Sequence, residues 1–546
     1  MNENKKNALF FVIDGLRYDT LSNTKFSKYL FPNLSKLKKH SFFSSCHTNG
    51  IITQVALPSL FSLTYPLDYG GYENGIRERP KSIIECFKEQ GYQTHLFGNC
   101  PEVATNYRSY HRGFDTFKLC PYFQNTIENQ VYFTIRPKLL TLIKSEQNSE
   151  ESLNYVIKEI RILCQSILES MKSTDTSCWT KKLYILNKKI AKGCEEELIL
   201  LNRNPLKVKN KILEIVPRNY WKYLGKNKPN KFINILHKFN FLFFMKVLPL
   251  IKKIGILRFR WSTHISLTSE KMLLELRKFL KSASHPWFIY CHLMDVHDVR
   301  DGGFTFFLKR VIHFPKWLVA RLKGFTKRSF AYDSALIFLD KELAPLIKDI
   351  TESNQFSDSV VIFTADHGDA RAYIPKRKNI GKDYLSGLHI ESIKVPLLLY
   401  NPKPQIKKNF KLIDSKGLSA TFLETLNVPF HESFNGNSIY SGGNSIVISE
   451  HCGRGLPNIK DGVIYFLLCS QSERLFVCIK QKELILEFYN LLIDPLEENN
   501  LIEEKEYKPK ILFMLKYLFK ERGHLIANRL KNIKCKKFNF KIEDIN

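Results

Sequence analysis

No two of the twelve cysteines, spread from Cys46 to Cys535, stand in a Cys-x-x-Cys spacing. That excludes paired zinc-ribbon and thioredoxin-like motifs. A chain of 546 residues also buries enough core to need no disulfide framework. Reduced thiols in a cytosol are the expectation. Met1-Asn-Glu-Asn-Lys-Lys-Asn7 leads directly into an apolar run, with no apolar leader and cleavage site between them. No stretch reaches ~18 apolar residues without charge, the length a spanning helix needs. The best candidate, Phe241 to Ile256, is broken by Lys246, Pro249, Lys252 and Lys253. Internal repeats and long low-complexity linkers are absent too. Acidic groups are scarce beside basic ones, 53 against 83, for a formal net charge of +30. Such a chain favours anionic partners: acidic glycans, nucleic acid or an anionic membrane face. A solvated lysine-rich surface is the plain alternative. Nucleic acid is the least favoured, because no recognised module is present and the charge is spread. The expected location is cytoplasmic, peripheral to the inner face of the membrane.

What is present is globular: 44% apolar and 13% aromatic residues. Ala8-Leu-Phe-Phe-Val-Ile13 is a continuous apolar run ended by Asp14-Gly15. A strand buried on both faces of a parallel sheet reads this way, and ligand residues gather beyond the carboxyl ends of such strands. Helices are expected over Asn33 to Lys39 and Pro80 to Gln90, with a strand over Gln93 to Phe97. This alternation is the mark of an α/β layer fold.

Residues from about 121 to 262 differ, with helical period over Leu153 to Met171 and Lys182 to Leu201. They are read as a basic helical insertion. Its end, Lys231 to Arg260, and a later run, Phe304 to Arg328, mix large apolar residues with Lys and Arg. Both suit an anionic membrane interface, or else a core-facing helix with a basic outer face. The α/β pattern then resumes with strands Trp287 to Met294, Ser359 to Thr364 and Val395 to Tyr400, and helices Tyr332 to Ile350 and Leu418 to Leu426. From Ser445 four strand-like runs predict a small antiparallel sheet, followed by a helix over about Lys508 to Arg529. The expected divisions are 1–120 and 263–440 for the core, 121–262 for the insertion and 441–546 for the C-terminal subdomain.

Three strands end in acidic or imidazole groups: Asp14, Asp295 with His297, and Asp366 with His367. Carboxylates and an imidazole on converging loops suit a divalent cation, Zn²⁺ or Mn²⁺ for mixed oxygen and nitrogen donors. Asn49-Gly-Ile-Ile-Thr-Gln-Val-Ala-Leu-Pro-Ser59 adds a polar turn, a hydroxyl and a run that starts a helix. Thr53 there would sit where N–H groups and the helix dipole favour an anion, although a simple cap reads the same.

The ordered set resembles the sulfatase branch of the alkaline phosphatase superfamily. Phe11-Val-Ile-Asp-Gly-Leu-Arg-Tyr-Asp19 resembles its opening strand and metal aspartate. Phe31-Pro-Asn-Leu-Ser-Lys-Leu37 and Leu57-Pro-Ser-Leu-Phe-Ser-Leu63 resemble its next two helices. Arg112 to Phe117, Met294-Asp-Val-His297, Thr364-Ala-Asp-His-Gly368, Ile393 to Leu397 and Tyr489-Asn-Leu-Leu-Ile-Asp-Pro-Leu-Glu-Glu-Asn-Asn-Leu501 follow in the family's order. Sulfatases carry Cys or Ser two residues before the Pro, converted to formylglycine, and Arg two after it. Ala56 and Leu60 stand at those places. In another register the stretch resembles phosphoethanolamine transferases, whose nucleophilic Thr lies five residues before the Pro, as Thr53 precedes Pro58.

The resemblance implies an alkaline-phosphatase-like α/β sandwich: a central mostly parallel sheet flanked by helices, a small C-terminal antiparallel sheet and the helical insertion. As in those transferases and lipoteichoic acid synthases, one divalent ion, Zn²⁺ or Mn²⁺ before Ca²⁺ or Mg²⁺, would be held by Asp14, Thr53, Asp366 and His367. Gly15, where two-metal and sulfatase sites have a second aspartate, favours a single ion. Thr53 would form a phospho-threonine intermediate. His297 and His389 would bind the phosphoryl oxygens or protonate the leaving group, with Lys382 as a rival to His389. The implied substrate is a phosphorylated or sulfated glycan- or lipid-type ester. The alternatives are a sulfuric ester hydrolase with a non-standard nucleophile and a non-catalytic binder of membranes or polyanions.

Overall fold

The computed structural model describes residues 5–144, 149–177, 179–226, 235–236, 239, 269–297, 303–369, 388–403, 406, 410–452, 463–480, 483–495, 497–530 and 534–535. Most of the basic run Lys231 to Arg260 lies outside the described residues, as does Lys382.

Seven strands form the main sheet: β1 (Asn7–Ile13), β2 (Phe42–His47), β3 (Gln93–Gly98), β4 (Thr116–Leu119), β5 (Trp287–Leu293), β6 (Ser359–Thr364) and β7 (Lys394–Tyr400), in the order β2-β7-β6-β1-β5-β3-β4. β1 pairs in parallel with β5 and β6, and β3 in parallel with β5 and β4. β7 alone runs against its neighbours β6 and β2. β1, β5 and β6 are buried along their whole length, as continuous apolar runs between two helical layers must be. Phe11 stacks on Phe363 at 4.4 Å and Phe87 on Phe288 at 4.4 Å, and these rings help fill the two faces.

Two helices begin elsewhere than their apolar pattern suggests, for a local reason. Pro80 to Gln90 shortens to Ile83–Glu89 because Ser82 and Glu85 form a capping box. Leu418 to Leu426 becomes Ser415–Thr425 because Asp414 accepts from the Gly417 N–H at 2.8 Å.

Within residues 123–223 the long helices Ser149–Ser173 and Lys181–Arg203 pack on one another, and their apolar faces join the core of the main sheet. The C-terminal strands β8 (Val447–His451), β9 (Ile464–Cys469), β10 (Glu473–Ile479) and β11 (Glu483–Asn490) form an antiparallel sheet, which β12 (Lys534–Cys535) extends in parallel. One face packs on the helix Lys508–Leu530 through Met514, Leu515 and Leu518. The same cluster takes in Val55, Tyr65 and Tyr72, so the small sheet is built onto the segment that carries Thr53.

Two buried imidazoles make the fold acid-sensitive. Burial, reinforced at His47 by the Lys394 charge, pushes His47 and His451 down to about 3. Both therefore stay neutral in the fold, while the unfolded chain takes up protons below about pH 6.5. Their contribution is complete above that pH and is lost as pH falls toward 3. The unfolding free energy from urea titration is expected to drop between pH 7 and pH 5 by about 2 kcal/mol for each histidine, and His451→Gln should flatten the dependence.

Candidate active site

Parallel pairing of three adjacent strands sets the site. β1 lies between β5 and β6, with Ile13 opposite Leu293 and Val12 opposite Thr364. The residues after each strand therefore emerge side by side at one edge: Asp14, His297 and Asp366-His367. The Asp14 N–H donates to the Leu293 carbonyl at 2.9 Å, which locks the first loop to the second. Gly15 follows at φ +75°, in the left-handed region that favours glycine.

Thr53 reaches this edge from β2. It is the first residue of the helix Thr53–Ser62, whose cap residue Ile52 is extended and supplies no side-chain hydrogen bond. The preceding loop is held from outside the main sheet. Asn49 donates from Nδ2 to Asp414 Oδ2 at 3.1 Å and to the Ile448 carbonyl at 2.8 Å, and its own carbonyl accepts from the Glu450 N–H at 2.9 Å. Thr53 Oγ1 donates to Asp14 Oδ2 at 2.8 Å and lies 3.3 Å from His367 Nε2.

His367 Nε2 stands 3.4 Å from Asp14 Oδ1 and 3.6 Å from Asp366 Oδ2. Its Nδ1 lies 2.6 Å from the Gly368 carbonyl, a contact that makes Nδ1 the donor and turns the Nε2 lone pair toward the carboxylates. One ligand atom from each of Asp14, Asp366 and His367 lies within 4.8 Å of the others. Asp14 Oδ1 and both Asp366 oxygens are buried without a hydrogen-bond partner. Buried, partnerless carboxylate oxygens beside an imidazole lone pair are what a divalent cation satisfies, so the residues present fit a metal. Burial works against ionisation of Asp14, but the neighbouring imidazoles of His297, His367 and His292 outweigh it and hold the carboxyl below the usual range.

Of the other sequence candidates, His297 is half-buried with its ring 6.2 Å from that of His367. Asp295 turns away and accepts from the backbone and hydroxyl of Ser269 at the start of the helix Ser269–Leu280, a structural tie. His389 precedes the short helix Ile390–Ile393, which lies against Gly368: the Gly368 N–H donates to the Ser392 carbonyl at 2.7 Å. A Cβ on Gly368 would come 2.0 Å from the Glu391 carbonyl oxygen, so only glycine lets the two loops meet. Arg474 of β10 donates to the Leu388 carbonyl and pairs with Glu497. The Asp494-Pro-Leu-Glu497 motif thus helps hold the chain beside His389 in place.

Two buried groups escaped the sequence reading. His292, inside β5, has Nε2 3.5 Å from Asp14 Oδ2 and Nδ1 3.0 Å from the Tyr290 hydroxyl. Cys100, just past β3, forms a second close group with Asp14 and His292. Burial opposes protonation of His292, but Cys100 and Asp14 raise it well above the ordinary value. The available signal was a lone imidazole in an otherwise apolar strand and a fourth strand end, Asn99-Cys100, at the same edge.

A sequence profile of the Sulfatase family matches residues 6–183 and 230–428. The chain belongs to the sulfatase family, in the sulfatase-like branch of the alkaline phosphatase superfamily. An arylsulfatase of Clostridium perfringens is 22% identical over 227 residues, 38% of this chain and 44% of that protein, so the match spans less than half of the relative's length. Among solved structures, a 2-O GAG sulfatase superposes with a TM-score of 0.51 at 12% identity, covering 99% of this chain and 96% of that one. A phosphonate monoester hydrolase of Agrobacterium radiobacter gives 0.51 at 12%, with 96% of each chain covered. A third structure, i-CgsB in complex with a neocarrahexaose, gives 0.51 at 13%, with 99% and 96% covered. At these identities the likeness establishes the fold.

Proposed function

We propose that this chain is a metal-dependent hydrolase or transferase of phosphoryl-type esters, with Thr53 as nucleophile. One observation carries the reading: the hydroxyl of Thr53 lies 2.8 Å from Asp14 Oδ2 and 3.3 Å from His367 Nε2. Ala56, at the position of the formylglycine precursor in sulfatases, is fully buried and offers no nucleophile. Asp14 Oδ2 accepts the hydroxyl proton in a hydrogen bond and so aims an Oγ1 lone pair outward. Oγ1 attacks phosphorus as its proton passes to Asp14 Oδ2, the bond to the leaving-group oxygen breaks, and His297 donates the proton that oxygen needs. Water or a second hydroxyl then attacks the phospho-threonine and gives its proton to His297, while Asp14 returns its proton to Oγ1 and so regenerates Thr53. A divalent ion would be held by Asp14, Asp366 and His367 beside Thr53, and when bound would supply charge that lowers the hydroxyl's pKa and offsets charge on the transferring group. The mixed oxygen and nitrogen donors suit Zn²⁺ or Mn²⁺.

The second reading is a sulfuric ester hydrolase using the same hydroxyl. Family membership and the arylsulfatase relative favour it. A sulfated or phosphorylated glycan suits either reading; one of the neighbouring structures is in complex with a neocarrahexaose. Turnover of an aryl phosphodiester and an aryl sulfate by the same preparation separates the two. The expected result is preference for the phosphodiester, one equivalent of Zn²⁺ or Mn²⁺ in the active protein, and loss of both metal and turnover in Asp366→Asn. Preference for the sulfate would transfer the reading to the second class, and turnover without bound metal would end both.

A further inference from the structure

The helices Gly303–Val311 and Phe314–Leu322 present an apolar face to solvent that the core does not explain. Their inward contacts are already made: Phe306 packs on Phe338 at 5.7 Å, Ala320 is fully buried, and Trp317 packs on Phe330 at 5.5 Å. On the outer side Leu308, Ile312, Leu318, Val319 and Leu322 remain exposed, Ile312 at 67% and Leu322 at 79%. Single exposed apolar residues are ordinary, but a run of them on two consecutive helices marks an interaction surface.

Charge selects the partner. Residues 303–328 contain no Asp or Glu. Arg310 and Arg328 are buried and Lys309 pairs with Glu270, which leaves Lys316, Arg321, Lys323 and Lys327 at the surface. Lys316 and Lys323 reach over the Tyr29 ring at 5.8 and 6.0 Å, at the edge of the same helix pair. Lysines around protruding aliphatic side chains match anionic headgroups above an acyl layer. A nucleic-acid backbone would use the charge but leave Ile312 and Leu322 nothing to enter. No helix among the described residues is long and apolar enough to cross a membrane, which fits a helix pair lying in the interface plane.

The surface is tied to the active site. Just past the second helix, Thr326 donates to Asp333 at 2.7 Å, and Arg328 bonds Asp333 at 2.7 Å and Asp19 at 3.2 Å. Tyr332 donates to the Gly15 carbonyl at 3.0 Å, one residue from Asp14. A bilayer under these helices would therefore sit at a set height relative to Thr53.

We infer that this helix pair docks the protein on an anionic lipid bilayer, independently of the reaction it performs. The test is co-sedimentation of the full chain with vesicles of phosphatidylcholine alone and of phosphatidylcholine with phosphatidylglycerol. Binding is expected only to the anionic vesicles, weakening with salt, and falling about tenfold in Ile312→Asp/Leu322→Asp while circular dichroism and melting temperature stay unchanged. Lys316→Glu/Lys323→Glu should also bind less. Equal binding to both vesicles, or full binding by the double aspartate variant, would overturn the inference. So would retention on heparin or duplex DNA with none on vesicles, which would indicate a polyanion site, or capture of an acidic protein in place of vesicles.

Discussion

Thr53→Ala is expected to reduce turnover of an aryl phosphodiester by roughly 10⁴-fold or more, the scale of removing a covalent nucleophile. Thr53→Ser should keep measurable activity, because the hydroxyl stays within reach of Asp14 Oδ2, 2.8 Å from the threonine oxygen. The structural cost is small: Thr53 opens its helix without serving as a side-chain cap, so melting should shift little. Intact-protein mass measurement of wild type quenched during turnover should show a phosphoryl adduct that peptide mapping places on Thr53 and that Thr53→Ala lacks. Unchanged turnover in Thr53→Ala would end the nucleophile assignment.

Arg522→Met is expected to destabilise the fold by about 3–5 kcal/mol, the scale of leaving one partner of a buried ion pair behind. Arg522, 2% exposed, donates to both Glu450 oxygens at 2.8 and 2.9 Å and to Asp68 at 2.7 Å. Glu450 is fully buried; burial and Asp68 raise its pKa, and Arg522 opposes them. Without the guanidinium, Glu450 must protonate or be hydrated in the interior. The urea midpoint should fall, and Glu450→Gln in the same chain should restore part of it. The effect should reach the site, because the Glu450 N–H holds the Asn49 carbonyl four residues before Thr53. A stable variant with normal turnover would show that the C-terminal sheet does not support the nucleophile loop.

The strands were legible because burial on both faces demands continuous apolar runs: Ala8 to Ile13 and Ser359 to Thr364 read as strands and are strands. Helix starts were less legible, because Ser82 and Asp414 cap from outside the apolar pattern. Asp14, Asp366 and His367 stood out as polar groups directly after apolar runs, and Thr53 through the resemblance of its stretch to phosphoethanolamine transferases. His292 did not, because a single imidazole inside a strand gives no periodic signal.

By itself, then, the amino-acid sequence determined the alternation of elements, the strand ends that bear acids and imidazoles, and the absence of a hydroxyl at residue 56. Those follow from local patterning, which chain order carries directly. Only the tertiary structure decided that Asp14 faces His367 on one side and His292 on the other. Only it showed that Asp295 ties down a helix, and that the small C-terminal sheet holds the loop before Thr53. Each of those depends on which strands lie side by side and in what register, and pairing between segments hundreds of residues apart leaves no trace in either segment alone.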